Sequence, residues 1–234
     1  MAAVERARAA AQAQLAAARE LQAAYLQQAF ESDEAHQWPK RRIESVTATG
    51  SGSTPSRTVP EYFHGAIPWV KTGELRDGVI HDTEEHVSDQ ALRETSLKLL
   101  PTGTLLVAMY GQGQTRGRTG LLSRSATTNQ ACFAVLPNTA ALDPRFLQYW
   151  FRHNYARLRQ ESESRGGNQP NLNGDLLKKQ EIPVPPLMNQ QAIVTTLDGR
   201  MLAAERAIKL MQTQLETIDK LPATLLRQAF NGEL

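Results

Sequence analysis

The sequence predicts an α/β protein: one globular α/β domain flanked by an N-terminal helix and a long C-terminal coiled-coil-like helix. Three observations carry this. Of the 15 Gly and 12 Pro in 234 residues, 13 Gly and 11 Pro fall between His36 and Leu187, so both ends are nearly free of helix breakers. Apolar residues at both ends recur at helical spacing. The breaker-rich middle holds short apolar runs bounded by Gly or Pro, the signature of strands. The division reads as 1–35, an N-terminal helix; 36–187, the globular domain; and 188–234, the C-terminal helix.

The N-terminal segment has 13 Ala in its first 30 residues, the best helix former. Val4, Ala7, Ala11, Leu15, Ala18, Leu21 and Tyr25 recur at a mean spacing of 3.5, a seam for a partner helix. In the middle, Thr104–Tyr110 and Ala131–Leu136 read as buried core strands. Asp143-Pro144 reads as a helix start, with Asp as N-cap and Pro at the first helical position, and Leu147, Trp150, Phe151 and Leu158 then face the core. Asn173 caps a shorter helix through Leu176 and Leu177.

The C-terminal seam is cleaner. Ile193, Leu197, Met201, Ala204, Ile208, Met211, Leu215 and Ile218 predict a helix from Asn189 to Asp219 that Pro222 then breaks or kinks, with a last turn or two, Ala223 to Phe230, before a Gly232 stop. The packing residues are therefore Leu15, Leu21, Ile193, Leu197, Met201, Ile208, Met211, Leu215 and Ile218. Leu21–Phe30 repeats as Leu221–Phe230 with six of ten positions identical, so two copies of one helical element bracket the domain.

Composition narrows the function. The chain carries 26 Lys+Arg against 24 Asp+Glu, and 18 basic against 14 acidic residues fall in 36–187, a local excess of +4. No apolar run reaches the roughly 18 residues of a membrane span, and Met1–Ala10 lacks the apolar stretch of a secretory leader. One cysteine, Cys132, makes no internal disulfide and suits a reducing cytosol. A nucleophile elbow, an HExxH helix, a paired-Cys zinc site and a Rossmann glycine pattern are absent from the sequence. His36, His64, His81, His86 and His153 lack metal-ligand spacing, and Glu161 and Glu163 read as salt-bridge partners of nearby arginines.

Three loops carry recognition chemistry. Gly50–Arg57 is small, polar and ends in a cation, and Ile67–Leu75 places Lys71 and Thr72 between apolar anchors. Met109–Gly120 alternates Gly with Gln, Thr and Arg directly after a buried strand. Gly allows close backbone approach, Gln can pair with adenine, and Arg with guanine or phosphate. No acid occurs from Thr95 to Leu142, so these cations are expected to be unopposed. The residues selected for DNA are Tyr110, Gln112, Gln114, Thr115, Arg116 and Arg118, supported by Arg57, Lys71 and Thr72. Gln114 and Arg116 are assigned to bases, Arg57 and Arg118 to phosphate. A solvated hairpin whose glycines merely make turns is the alternative.

In order along the chain, Trp38-Pro39, Thr54-Pro55-Ser56, Ile67–Val70, Ala108–Gly111, Thr115–Arg118, Asn129–Cys132, Gln169–Asn173, Ile182–Leu187 and Leu226–Leu234 resemble the DNA-specificity (S) subunit of type I restriction-modification systems. The resemblance is to a half-size form with a single target recognition domain. It implies a sequence-specific DNA-binding subunit without catalytic residues, cytoplasmic, that directs methyltransferase (M) and restriction (R) subunits to a split site. S-adenosylmethionine would then belong to the M subunit, and ATP and Mg to the R subunit, with no cofactor or metal in this chain. One domain with two apolar seams predicts a homodimer on palindromic double-stranded DNA. Where the family usually has Glu at the second helix start, this chain has Met188 and Asn189. A helical scaffold that binds protein, or a fragment of a fused restriction-modification enzyme, are the alternatives.

Overall fold

The computed structural model describes residues 2–111, 113–163 and 171–231, without the side chains of 224–226, 228 and 229. In chain order the elements are α1 (Ala2–Phe30), α2 (Asp33–His36), β1 (Lys40–Arg42), α3 (Ile43–Val46), β2 (Thr49–Ser51), β3 (Ile67–Val70), β4 (Gly78–Ile80) and β5 (His86–Val87). They continue with α4 (Asp89–Glu94), β6 (Leu105–Ala108), β7 (Thr119–Leu122), β8 (Thr127–Thr128), β9 (Cys132–Val135), α5 (Pro144–His153), α6 (Tyr155–Glu163), α7 (Gly174–Lys178), β10 (Glu181–Pro183) and α8 (Leu187–Phe230). This is the α/β architecture expected, with a helix at each end. Contacts gather the chain into two compact units, Phe30–Val194 and the helical pair Met1–Ala29 with Thr195–Leu234.

The sheet unit is built on a five-stranded sheet of order β2-β9-β6-β7-β4. Its centre, β6, pairs antiparallel with both β7 and β9, while β4 joins β7 in parallel. A three-stranded sheet, β5-β3-β8, and the antiparallel pair β1-β10 complete the unit. Every residue of β6, β7 and β9 is buried, which is why these runs are continuously apolar or small rather than alternating. Val70, Leu75, Ile80, Leu100, Leu106 and Leu122 belong to one buried apolar cluster. Trp69, Val87, Ala91 and Leu97 form a second.

Local chemistry fixes the helix starts. The Asp143 carboxylate accepts from the backbone N–H of Arg145 and Phe146, with Pro144 at the first turn. Leu147, Trp150, Phe151 and Leu158 are buried as the sequence predicts. Asn173 caps α7 by accepting from the Leu176 N–H. The start of α8 is pinned by a residue the sequence reading passed over. Gln190 is fully buried, donates to the carbonyls of Ala141 and Pro185, and accepts from the Asp143 N–H. A neutral amide thus anchors the first turn of α8, which also holds Met188 and Asn189.

In the helical unit, Arg8 pairs with Asp219 at 3.0 Å and Arg200 donates to Gln28 at 2.7 Å, so α1 and α8 run antiparallel within one chain. Leu15, Leu197, Met201 and Ile218 are buried, and Ile208, Met211 and Leu215 are half-buried, as is Ile193 where α8 leaves the sheet unit. One expectation needs correction. Leu21 is 43% exposed, because the buried stripe is Ala11, Leu15, Ala18 and Leu26. At 3.6 residues per turn Leu21 falls roughly 100° round the helix from the middle of that stripe. Of the break or kink expected at Pro222 the break is absent, and α8 runs on through the expected last turns, Ala223 to Phe230. A proline removes one i→i−4 bond, and here the turns on either side carry the helix through. The Gly232 stop lies outside the described residues.

Candidate functional site

The loop from Met109 to Arg118 leaves the most buried strand of the sheet and returns to its neighbour. Its ends are closed by backbone bonds from Gly117 N–H to the Ala108 carbonyl and from Ala108 N–H to the Arg118 carbonyl, both 2.9 Å. Gly111, Gly113 and Gly117 all have positive φ. A Cβ on Gly111 would stand 2.6 Å from Thr115 Cβ, and one on Gly117 would stand 3.2 Å from the Tyr155 ring. Two of these glycines therefore permit close approach as well as the turn.

One face of α6 holds this loop. Tyr155, Arg159 and Glu163 are spaced i, i+4, i+8 and each touches it. Tyr155 Oη donates to the Gln114 carbonyl at 2.7 Å, Arg159 donates to the Arg116 carbonyl at 3.1 Å, and Glu163 accepts from Arg116 Nη2 at 2.7 Å. The Tyr155 ring also lies against two guanidiniums, Arg118 at 5.0 Å and Arg159 at 5.4 Å from its centroid. On the other side of α6, Arg157 and Glu161 line a cleft of about 440 Å³.

The expectation that the loop cations are unopposed is overturned. Arg116 is 5% exposed and paired with Glu163, so it is turned inward rather than presented to a base edge. Arg118 pairs with Asp77 at 2.5 Å and donates to the carbonyl and Oε1 of Gln114. Asp77 also accepts from the N–H and hydroxyl of Thr119 at 2.8 and 3.0 Å, and it is the one non-glycine residue with positive φ among those described. Stretches free of acid in sequence acquire acids in space. Tyr110 and Gln114 are exposed and Thr115 is half-buried, while Gln112 lies outside the described residues.

The supporting residues form a second cluster. Arg57 reaches Glu85 at 2.6 Å and lies 4.1 Å from the Phe63 ring centroid. Lys71 reaches the same Glu85 at 2.8 Å and Glu84 at 3.2 Å. Hydrogen bonds from Arg57 and Lys71 lower the Glu85 pKa to about 2, so it is ionised at neutral pH. Glu74 accepts from the backbone N–H of Lys71 and Glu84, holding the two limbs together, and Thr72 sits in the tight turn between Lys71 and Glu74. The segment Lys71–Asp77 thus touches both clusters, feeding Lys71 to one and Asp77 to the other.

Asp77, Tyr155 and Arg159 escaped sequence reasoning, and Glu163 was read as an arginine's partner without its place at the loop. The i, i+4, i+8 stripe on α6 was the available signal for three of them, and Asp77 gave none. Among the described residues no group of three His, Cys, Asp or Glu converges as a metal site. No helix there is long and apolar enough to cross a membrane. Burial pushes the Cys132 thiol up to about 12, leaving it protonated and a poor nucleophile. Glu161 and Glu163 do pair with arginines, at 3.5 and 2.7 Å.

Residues 36–219 match the family model described as type I restriction modification DNA specificity domain. The MjaIX type I restriction enzyme specificity subunit of Methanocaldococcus jannaschii is 28% identical over 196 residues, covering 82% of this chain and 44% of that protein. The EcoR124I/EcoR124II specificity subunit of Escherichia coli is 25% identical over 149 residues, covering 63% of this chain and 37% of that protein. The chain therefore spans less than half the length of these relatives. Its fold is like the HsdS subunit from Thermoanaerobacter tengcongensis, with TM-score 0.68, 18% identity and coverage of 100% of this chain and 56% of that one. A chain from work on assembly and conformational transition of the type I R-M system gives TM-score 0.78 at 19% identity, covering 100% and 57%.

Proposed function

The chain belongs to the type I restriction-modification DNA specificity family, and from that premise we propose that it reads a DNA sequence on behalf of partner enzymes. The observation that carries the reading is the family match from 36 to 219, which takes in all ten strands and most of α8. The Gly-rich loop supports it: a ligand-facing loop is useful when a rigid scaffold fixes it, and this one is rooted in β6 and β7 and held by α6.

In this reading Tyr110, Gln114 and Thr115 meet base edges, the sequence assigns Gln112 to the same role, and Arg118, Arg57, Lys71 and Thr72 border the DNA path. Arg116 acts from inside by fixing the loop. The chain does no chemistry. A methyltransferase subunit carrying S-adenosylmethionine and a restriction subunit using ATP and Mg supply it, in the cytoplasm. Two copies, joined through their helical units, would place two identical domains on a split palindromic site.

Co-expression with a methyltransferase subunit, followed by mapping of methylated adenines, tests this directly. Methylation at one interrupted palindrome is the expected result, and an asymmetric site would exclude the homodimer. A protein-binding scaffold is the second reading, favoured by the paired state of the cations. Salt-insensitive binding to a protein, with no duplex affinity, would select it.

A further inference from the structure

Every cation assigned to the DNA face meets a carboxylate. Arg57 and Lys71 reach Glu85 at 2.6 and 2.8 Å, Arg116 reaches Glu163 at 2.7 Å, and Arg118 reaches Asp77 at 2.5 Å. These pairs are not incidental neighbours along a helix. The partners stand 28, 14, 47 and 41 residues apart, so the fold brings each acid to its cation. Two of the acids do more than pair. Asp77 also ties down Thr119, where the loop rejoins the sheet, and Glu163 holds the one loop arginine that is buried.

Non-specific affinity for duplex DNA comes from cations that displace counterions from phosphate, with each uncompensated cation steepening the salt dependence by about 0.9. A cation already matched at 2.5–2.8 Å contributes little of that attraction. The side chains left to face outward at the loop, Tyr110 and Gln114, are neutral and exposed. A neutral face gains little from an arbitrary sequence and depends on hydrogen bonds to the right bases.

Resting on the DNA-reading function proposed above, we propose that Asp77, Glu85 and Glu163 are specificity-determining residues: they match the cations assigned to the DNA face, suppress binding to arbitrary DNA and leave discrimination to neutral side chains. They do not touch bases. Asp77 and Glu163 act through the loop they position, and Glu85 through Arg57 and Lys71.

The test uses the full 234-residue chain, a short random-sequence duplex followed by fluorescence anisotropy across a salt series, and elution from heparin. Glu85→Gln should bind random duplex several-fold more tightly at low salt, with a salt slope steeper by about one. It should also elute later from heparin. A residue that only supported the fold would give the opposite result, weaker binding at an unchanged slope. Glu205→Gln removes an exposed acid from the helical unit and is the control for net charge alone. Asp77→Asn and Glu163→Gln should shift in the same direction as Glu85→Gln, and if either fails to fold, the Glu85 and Glu205 pair decides. Equal shifts for Glu85→Gln and Glu205→Gln, or none for the first, overturn the proposal while leaving the DNA-reading function standing. A wild-type chain without duplex affinity, alone and with its methyltransferase partner, overturns both.

Discussion

The helical unit and the reading loop are stabilised by opposite kinds of interaction. The helices meet along an apolar stripe set by sequence neighbours three and four apart. Leu197, Met201 and Ala204 on α8, and Ala11, Leu15 and Ala18 on α1, are all buried. The loop has three positive-φ glycines and almost no apolar side chain, and it is held by groups 41 to 47 residues away. The contrast teaches where each kind of order originates. Burial periodicity is local and tolerant, whereas the loop's shape depends on a few charged and hydroxyl groups whose positions the rest of the fold determines.

The largest expected effect lies in the helical stripe. Leu197 is 1% exposed, so Leu197→Ala should cost about 2–5 kcal/mol in equilibrium urea unfolding. Leu21→Ala, at an exposed position that the mean spacing of 3.5 picked out, should stay within about 0.5 kcal/mol. Equal losses for the two would mean that the stripe is wider than the structure draws it, or that a second helix covers Leu21.

The same contrast explains what was legible beforehand. The fold class followed from breaker placement, and the α5 and α7 starts from Asp143 and Asn173, because caps act over two or three residues. The strands β6 and β9 were legible as apolar runs between turns. The loop itself was legible from its glycines. Its electrostatics were legible only in part: Glu163 read as a salt-bridge partner, but the acid-free stretch from Thr95 to Leu142 did not show that it would meet Arg116 or that Asp77 would meet Arg118. Gln190 was silent, because one glutamine in a polar turn looks like any other until three backbone groups converge on it.

Arg116→Ala sharpens the comparison at an intermediate scale. It removes a nearly buried charged hydrogen bond and should cost about 1.5–3 kcal/mol. Its effect on DNA should appear as lost discrimination rather than as a shallower salt slope, since the Arg116 charge is already matched. Wild-type stability together with a slope reduced by about one would instead mark Arg116 as a phosphate contact.

The smallest effect is the most diagnostic, because it separates charge from packing. Hydrogen bonds from Arg57 and Lys71 take Glu85 from 4.5 down to about 2 in the folded protein. Between those values the unfolded state binds the proton and the folded state does not, so stability rises with pH across this window. The contribution is complete above about 4.5 and is lost as pH falls toward about 2. Partial exposure of all three side chains keeps it to about 1 kcal/mol or less. Glu85→Gln should therefore flatten the acid limb of stability, measured by urea midpoints between neutral and acid pH. Leu197→Ala should lower the whole profile without changing its shape. An acid limb unchanged by Glu85→Gln would mean that the Arg57–Glu85–Lys71 cluster does not persist in solution, and the charge matching of the DNA face would then rest on Asp77 and Glu163 alone.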